Sequence, residues 1–231
     1  MIASTGALLL ASVVCVALVA GRVAWTRNLH YAFLVWNIFL AWLPLVFAVQ
    51  AAAIYRNRGW RNWRFAALAG AWLLFFPNAP YIFTDVLHLI YSPFRQFWVD
   101  LSLVLLGGLT GLVLGFVSLY LMQSVVRRVA GQIVSWLFII AVAGLSGFGI
   151  YLGRFLRFNS WDVITQPFKL FDGVSSWVAH PTANSVTLGF PVLFATFLFL
   201  AYVMLYALTH LPRIHTLPAE PNEKALGAAP A

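Results

Sequence analysis

Apolar positions fall along this chain in long, nearly unbroken runs, and the polar residues gather between the runs instead of alternating within them. Such runs lack the two-residue period of a half-buried strand and the narrow stripe of a surface helix. They predict membrane-crossing helices, each needing about 20 apolar residues. Six are expected, near residues 5–24, 31–55, 65–82, 98–121, 132–153 and 186–209. Residues 211–231 are small, proline-rich and polar and read as a disordered tail behind a single transmembrane domain, 1–210. The fold class predicted is all-α, a polytopic transmembrane helix bundle of about six spans.

The third run is interrupted. Pro77 and Pro80 remove two backbone donors within four residues and leave carbonyls that need partners, so this span is expected to break at Pro77–Pro80. From Phe65 to Phe76 a helix rises only about 18 Å, which puts the break in the hydrocarbon region or at its edge. Backbone broken at that depth persists where it is buried in protein or lines a cavity. If a helix resumes at Tyr81, then Tyr81, Asp85 and His88 share one face by their i, i+4, i+7 spacing.

Composition sharpens this picture. The 231 residues hold 14 Lys+Arg and 6 Asp+Glu, only 9% charged residues against 62% hydrophobic, which excludes an ordinary soluble domain. The net charge of +8 sits between apolar runs with no continuous face, so membrane lipid is the expected counter-charge and nucleic acid is excluded as a partner. The Arg56–Arg64 loop, which mixes Arg with Trp, reads the same way. Cys15 is alone, which removes an intrachain disulfide or a thiolate metal site. The first run, with no Lys or Arg before Arg22, reads as a retained anchor.

Acidic residues limit the chemistry further. No Glu precedes Glu220, and Asp85, Asp100, Asp162 and Asp172 all fall on one side of the predicted topology, the outer side if both termini are cytoplasmic. A His-Glu-x-x-His zinc helix and a carboxylate-bridged metal centre are therefore excluded. Lys and Arg counts favour cytoplasmic termini, with Arg56, Arg58, Arg61, Arg64, Arg127, Arg128, Arg213 and Lys224 on one side and Arg22, Arg27, Arg95, Arg154, Arg157 and Lys169 on the other.

Two polar segments carry the candidate site. The first gives Asn78, Tyr81, Asp85 and His88; the second, leaving the fifth span on the same side, gives Arg154, Arg157, Asn159 and Asp162. Asp85, His88 and Asp100 are candidate acid–base groups, Asp85 and His88 candidate metal ligands, and Asn78, Tyr81, Arg154, Arg157, Asn159 and Asp162 candidate substrate-binding groups. The two arginines, one turn apart, are expected to face Asp85 and Asp100 or to clamp an anion. The competing reading makes Asn78 a cap or a partner for freed carbonyls. It also makes Asn159 or Ser160 the cap of an interfacial helix reaching about Phe171, with Asp162 in its first turn.

Glycines at 107, 111 and 115 and at 149 and 153 predict close packing of the fourth span on the fifth, which would bring Asp100 near Arg154. Gly144-Leu145-Ser146-Gly147 matches the serine motif of rhomboid-type intramembrane proteases, but His180 and His210 are badly placed for the dyad, and helix packing explains the motif better.

Asn78-Ala79-Pro80-Tyr81 with Thr84-Asp85 and His88-Leu89, then Trp98-Val99-Asp100, then Gly153-Arg154-Phe155-Leu156-Arg157 with Asn159-Ser160-Trp161-Asp162, resembles a family of small bacterial multi-pass membrane proteins classed only as a domain of unknown function. The resemblance covers roughly residues 30 to 210. That family more often has Tyr where this chain has Val99 and Trp where it has Phe158. The resemblance implies an integral protein of the bacterial inner membrane and carries no activity or cofactor with it. An accessory or structural membrane role ranks ahead of a membrane-embedded enzyme on a lipid-linked or anionic amphipathic substrate, and ahead of a small-solute or ion-coupled transporter. An anionic small molecule, a lipid-linked ligand and a protein partner all stay open.

Overall fold

A computed structural model describes residues 2–91, 94–179 and 185–209. It is a helical membrane bundle, with no strand among the described residues. The elements are α1 (Ile2–Thr26), α2 (Phe33–Arg58), α3 (Trp63–Phe75), α4 (Asn78–Tyr81), a 3-10 helix (Ile82–Tyr91), α5 (Phe97–Phe155), α6 (Asp162–Thr165), α7 (Pro167–Ala179) and α8 (Ser185–Thr209). The tail 211–231, His180 and His210 lie outside the described residues.

Among the described residues five helical segments are long and apolar enough to cross a membrane, the longest being α5 with 59 residues. A straight helix of that length would run about 88 Å, nearly three hydrocarbon thicknesses. It does not run straight, because Gly131 takes φ +88° and ψ 178°, a conformation open to glycine and strained for other residues. The chain doubles back there. Ser118 before the reversal accepts a hydrogen bond from the Trp72 indole at 3.2 Å, while Phe138 after it stacks on the same indole at 5.8 Å. The two arms of α5, residues 97–130 and 132–155, therefore lie antiparallel against the third span.

The break in that span forms as the prolines demand. α3 ends at Phe75, a single turn of α4 follows, and the chain continues as a tight 3-10 helix to Tyr91. This segment is wedged between the arms of α5. A Cβ added at Gly111 would lie 2.5 Å from the Ala79 carbonyl oxygen, and one at Gly149 would lie 2.9 Å from the Pro77 ring. The α5 glycines thus admit the broken segment, which corrects the expectation that they pack one α5 arm directly on the other. An irregular backbone occupies more room than a regular helix face, and only glycine gives that room on both sides.

Other motifs settle into packing roles. Ser146 is buried and donates to the Val142 carbonyl, and Gly147 sits against the backbone of α8 at Pro191 and Ala195, so the Gly-x-Ser-Gly run is a helix contact. Asn62 caps α3 by accepting from the Arg64 N–H at 2.9 Å. Large apolar side chains such as Leu10, Ile133 and Leu193 point outward, as they do when lipid tails are the solvent.

Candidate functional site

Pro77 cannot donate and the α3 ladder stops, so the last carbonyls of α3 need other donors. Asn78 Nδ2 donates to the Phe75 carbonyl at 3.0 Å and to Ser160 Oγ at 2.9 Å, and the Ser160 hydroxyl donates to the Leu74 carbonyl at 3.0 Å. Ser160, from the loop after α5, is therefore tied to the break and does not cap the following helix. Asp162, the first residue of α6, ties the loop to the helix instead: its Oδ2 accepts from the Asn159 N–H at 2.7 Å and its Oδ1 from the Thr165 hydroxyl at 2.8 Å. These two donors, the backbone N–H first, hold the Asp162 carboxyl below its ordinary value. The single interfacial helix expected through Phe171 is instead the short α6 followed by α7, separated at Gln166, where the backbone leaves the helical region.

Asp85 lies just beyond the break and is 1% exposed. Two donors converge on its carboxylate from distant parts of the chain, and a neighbouring imidazole lies close by. Arg154 Nη2, at the end of α5, reaches Oδ1 at 2.8 Å, and Asn37 Nδ2, on α2, reaches Oδ2 at 2.9 Å. His88 places Nδ1 3.7 Å from Oδ1. A buried carboxylate persists where charge and hydrogen bonds compensate it, and this one is compensated on both oxygens. The 3-10 helix has three residues per turn, so Asp85 and His88 stack by i, i+3. Tyr81 joins them differently from the α-helical i, i+4 expectation: its ring lies 4.8 Å below the Arg154 guanidinium.

Arg154 is held on its other side by Thr84, which accepts from Nε at 3.2 Å and from Nη2 at 2.7 Å while donating to the Tyr81 carbonyl at 2.6 Å. Nη1 of Arg154 makes no hydrogen bond among the described residues. Asp100 is elsewhere. It pairs with Arg22 of α1 at 2.6 Å, which corrects the expected pairing with Arg154, whose partner is Asp85. Arg157, two residues beyond the end of α5 at φ 59°, is exposed, makes no ion pair among the described residues and is not among the residues lining the cavity around Asp85.

Around the Asp85 cluster lies a cavity of about 370 Å³. Phe33, Trp36, Asn37 and Leu40, at i, i+3, i+4 and i+7 of α2, form one wall; Leu74, Pro77, Asn78, Tyr81, Asp85 and His88 form a second; Leu152, Arg154, Phe158, Asn159 and Ser160 close the third. Val163 and Leu170 add an apolar rim from α6 and α7. Both oxygens of Asp85 are already engaged, and no group of three or more His, Cys, Asp or Glu side chains able to hold a metal ion occurs among the described residues. The cavity therefore offers a polar end with nearly balanced charge and an apolar length.

The family described as "Protein of unknown function (DUF1361)" matches residues 36–212, most of the chain and all of these cavity walls except Phe33. The chain belongs to this family. No curated protein and no solved structure matches it. Of the residues that line this cavity, sequence reasoning chose Asn78, Tyr81, Asp85, His88, Arg154 and Asn159. It left out Asn37, Ser160 and Thr84 as participants. Asn37 stands alone in an apolar run, and a lone amide in a predicted span is the one signal that could have drawn attention to it.

Proposed function

We propose that this DUF1361 protein binds an amphipathic molecule of the membrane, with the polar head against Asn37, Asn78, His88 and Arg154 and the apolar part along Phe33, Trp36, Leu40 and Leu170. The observation that supports this reading is the convergence of Asn37, Asp85 and Arg154, from three distant segments, on one cavity with apolar walls. Because Asp85 offsets the charge of Arg154, the head need not be anionic. Nη1 of Arg154 is a donor with no partner among the described residues, and the side chain of His88 is 29% exposed. The bundle belongs in the bacterial inner membrane with its Gly131 end cytoplasmic. Arg22 and Arg154 are neutralised by aspartates, which leaves Arg56, Arg58, Arg61, Arg64, Arg127 and Arg128 dominating the Gly131 end.

The test is native mass spectrometry of the detergent-purified full chain. Wild type should retain an amphiphile that Leu40→Trp, which fills the cavity, and Asn37→Ala release, while the outward-facing Leu137→Trp retains it. Equal retention in all four proteins would sink the reading. A second reading is favoured by the Asp85–His88 approach at 3.7 Å: the imidazole, backed by a carboxylate, moves a proton on the bound molecule. It predicts that His88→Gln keeps the amphiphile bound and abolishes its conversion.

A further inference from the structure

A second cleft opens at the opposite end of the bundle, between α2 and the first arm of α5, with a volume of about 180 Å³. Its walls are two facing helical stripes. On α2, Val49, Ala52 and Arg56 follow one another at i, i+3 and i+7; on α5, Leu121, Val125 and Arg128 do so at i, i+4 and i+7. Each stripe is apolar where it enters the bundle and ends in an arginine toward the Gly131 end. Two guanidinium forks thus stand at the mouth of a cleft with an apolar floor.

Neither arginine makes an ion pair among the described residues. None is within reach there: Asp85, Asp100 and Asp162 lie at the other end of the bundle, as does Asp172 on α7. Both arginines are exposed at the cleft mouth, where an anion from outside the described residues can reach them. The planar fork of arginine matches phosphate oxygens, and paired basic residues between membrane helices suit lipid headgroups. The cleft is smaller than the roughly 300 Å³ at which drug-sized pockets begin, so it holds a headgroup and not a whole amphiphile. The Ser124 hydroxyl donates its proton to the Tyr120 carbonyl, so the donors left at the mouth are the arginines and the Tyr55 hydroxyl.

We propose that this cleft binds the phosphate of an anionic phospholipid in the leaflet at the Gly131 end, with the acyl chains leaving over Val49 and Leu121 into the bilayer. The proposal is independent of the Asp85 cavity and shares no residue with it. Delipidated full-length protein in detergent, titrated with phosphatidylglycerol or phosphatidylcholine and read by native mass spectrometry, tests it. One phosphatidylglycerol should bind in preference, and Arg56→Gln and Arg128→Gln should each weaken it about five- to tenfold. Arg58→Gln and Arg61→Gln, which remove exposed charges at the same end but outside the cleft, should leave it unchanged, and all four proteins should melt together. Equal weakening by the control pair would show diffuse attraction and overturn the proposal. Competition by inorganic phosphate at lipid-equivalent concentration would assign the cleft to a free anion and overturn it as well.

Discussion

Arg22 on α1 and Asp100 at the start of α5 meet at 2.6 Å, with side chains 3% and 0% exposed, and join positions 78 residues apart. The guanidinium is satisfied further by Thr26 at 2.9 Å and Gln96 at 3.0 Å, and the Tyr31 ring lies 4.8 Å from it. Together with the Trp42 indole, which donates to Ser12 of α1 at 3.1 Å, this pair fixes a largely apolar helix in register against the bundle. Removing one partner strands a buried charge, so Arg22→Gln or Asp100→Asn should destabilise by about 3–5 kcal/mol. The double variant should recover part of that loss, as read by thermal melting in detergent; simple additivity would show that the two charges do not depend on each other.

The carbonyls freed by Pro77 set a second expectation. Asn78→Ala should leave the Phe75 carbonyl without its donor and Ser160→Ala should do the same for Leu74, each costing about 1–2 kcal/mol. Because Asn78 also donates to Ser160, the double variant should lose less than the sum. Strict additivity in melting experiments would argue against a shared network at the break.

Much of this architecture was legible from residues alone, and the limits have physical causes. Spans announce themselves through twenty apolar residues in a row, and a proline pair inside one cannot be accommodated by a regular helix, so the bundle and its break followed directly. Which helix faces which did not. A glycine stripe says that something approaches closely but not what, and here the approaching element is the broken backbone at Ala79. Asp85 and Arg154 stood out because charge is rare in a span. The partner of Asp100 was misassigned because Arg22 was read only as an orientation signal. Asn37 carries no charge and belongs to no local motif, and only the fold brings it to Asp85.

Glycine packing gives a test with its own control. Gly111→Ala would push a methyl to within 2.5 Å of the Ala79 carbonyl, which is backbone and cannot swing aside, so destabilisation of about 1–3 kcal/mol is expected. Gly144 has nothing within 4 Å of an added Cβ. Gly144→Ala should therefore be neutral or stabilise by up to about 1 kcal/mol through helix propensity. Similar melting shifts in the two variants would contradict the wedge.

Acid should act on the α6 turn through Asp162. Its carboxyl is depressed below 3.8 by the Asn159 N–H, then by the Thr165 hydroxyl, so the folded protein favours the charged form. A depressed folded value contributes stability above the unfolded value and loses it as pH falls through the folded one. Wild type should therefore melt above Asp162→Asn by a margin that is constant above about pH 5 and narrows below the ordinary carboxylate value. Comparison with the same substituted protein at each pH removes the contributions of Asp85, Asp100 and Asp172, which both proteins share. A margin that does not change with pH would mean that the carboxylate charge plays no part in closing the turn, and that shape alone holds Asn159 and Thr165 together.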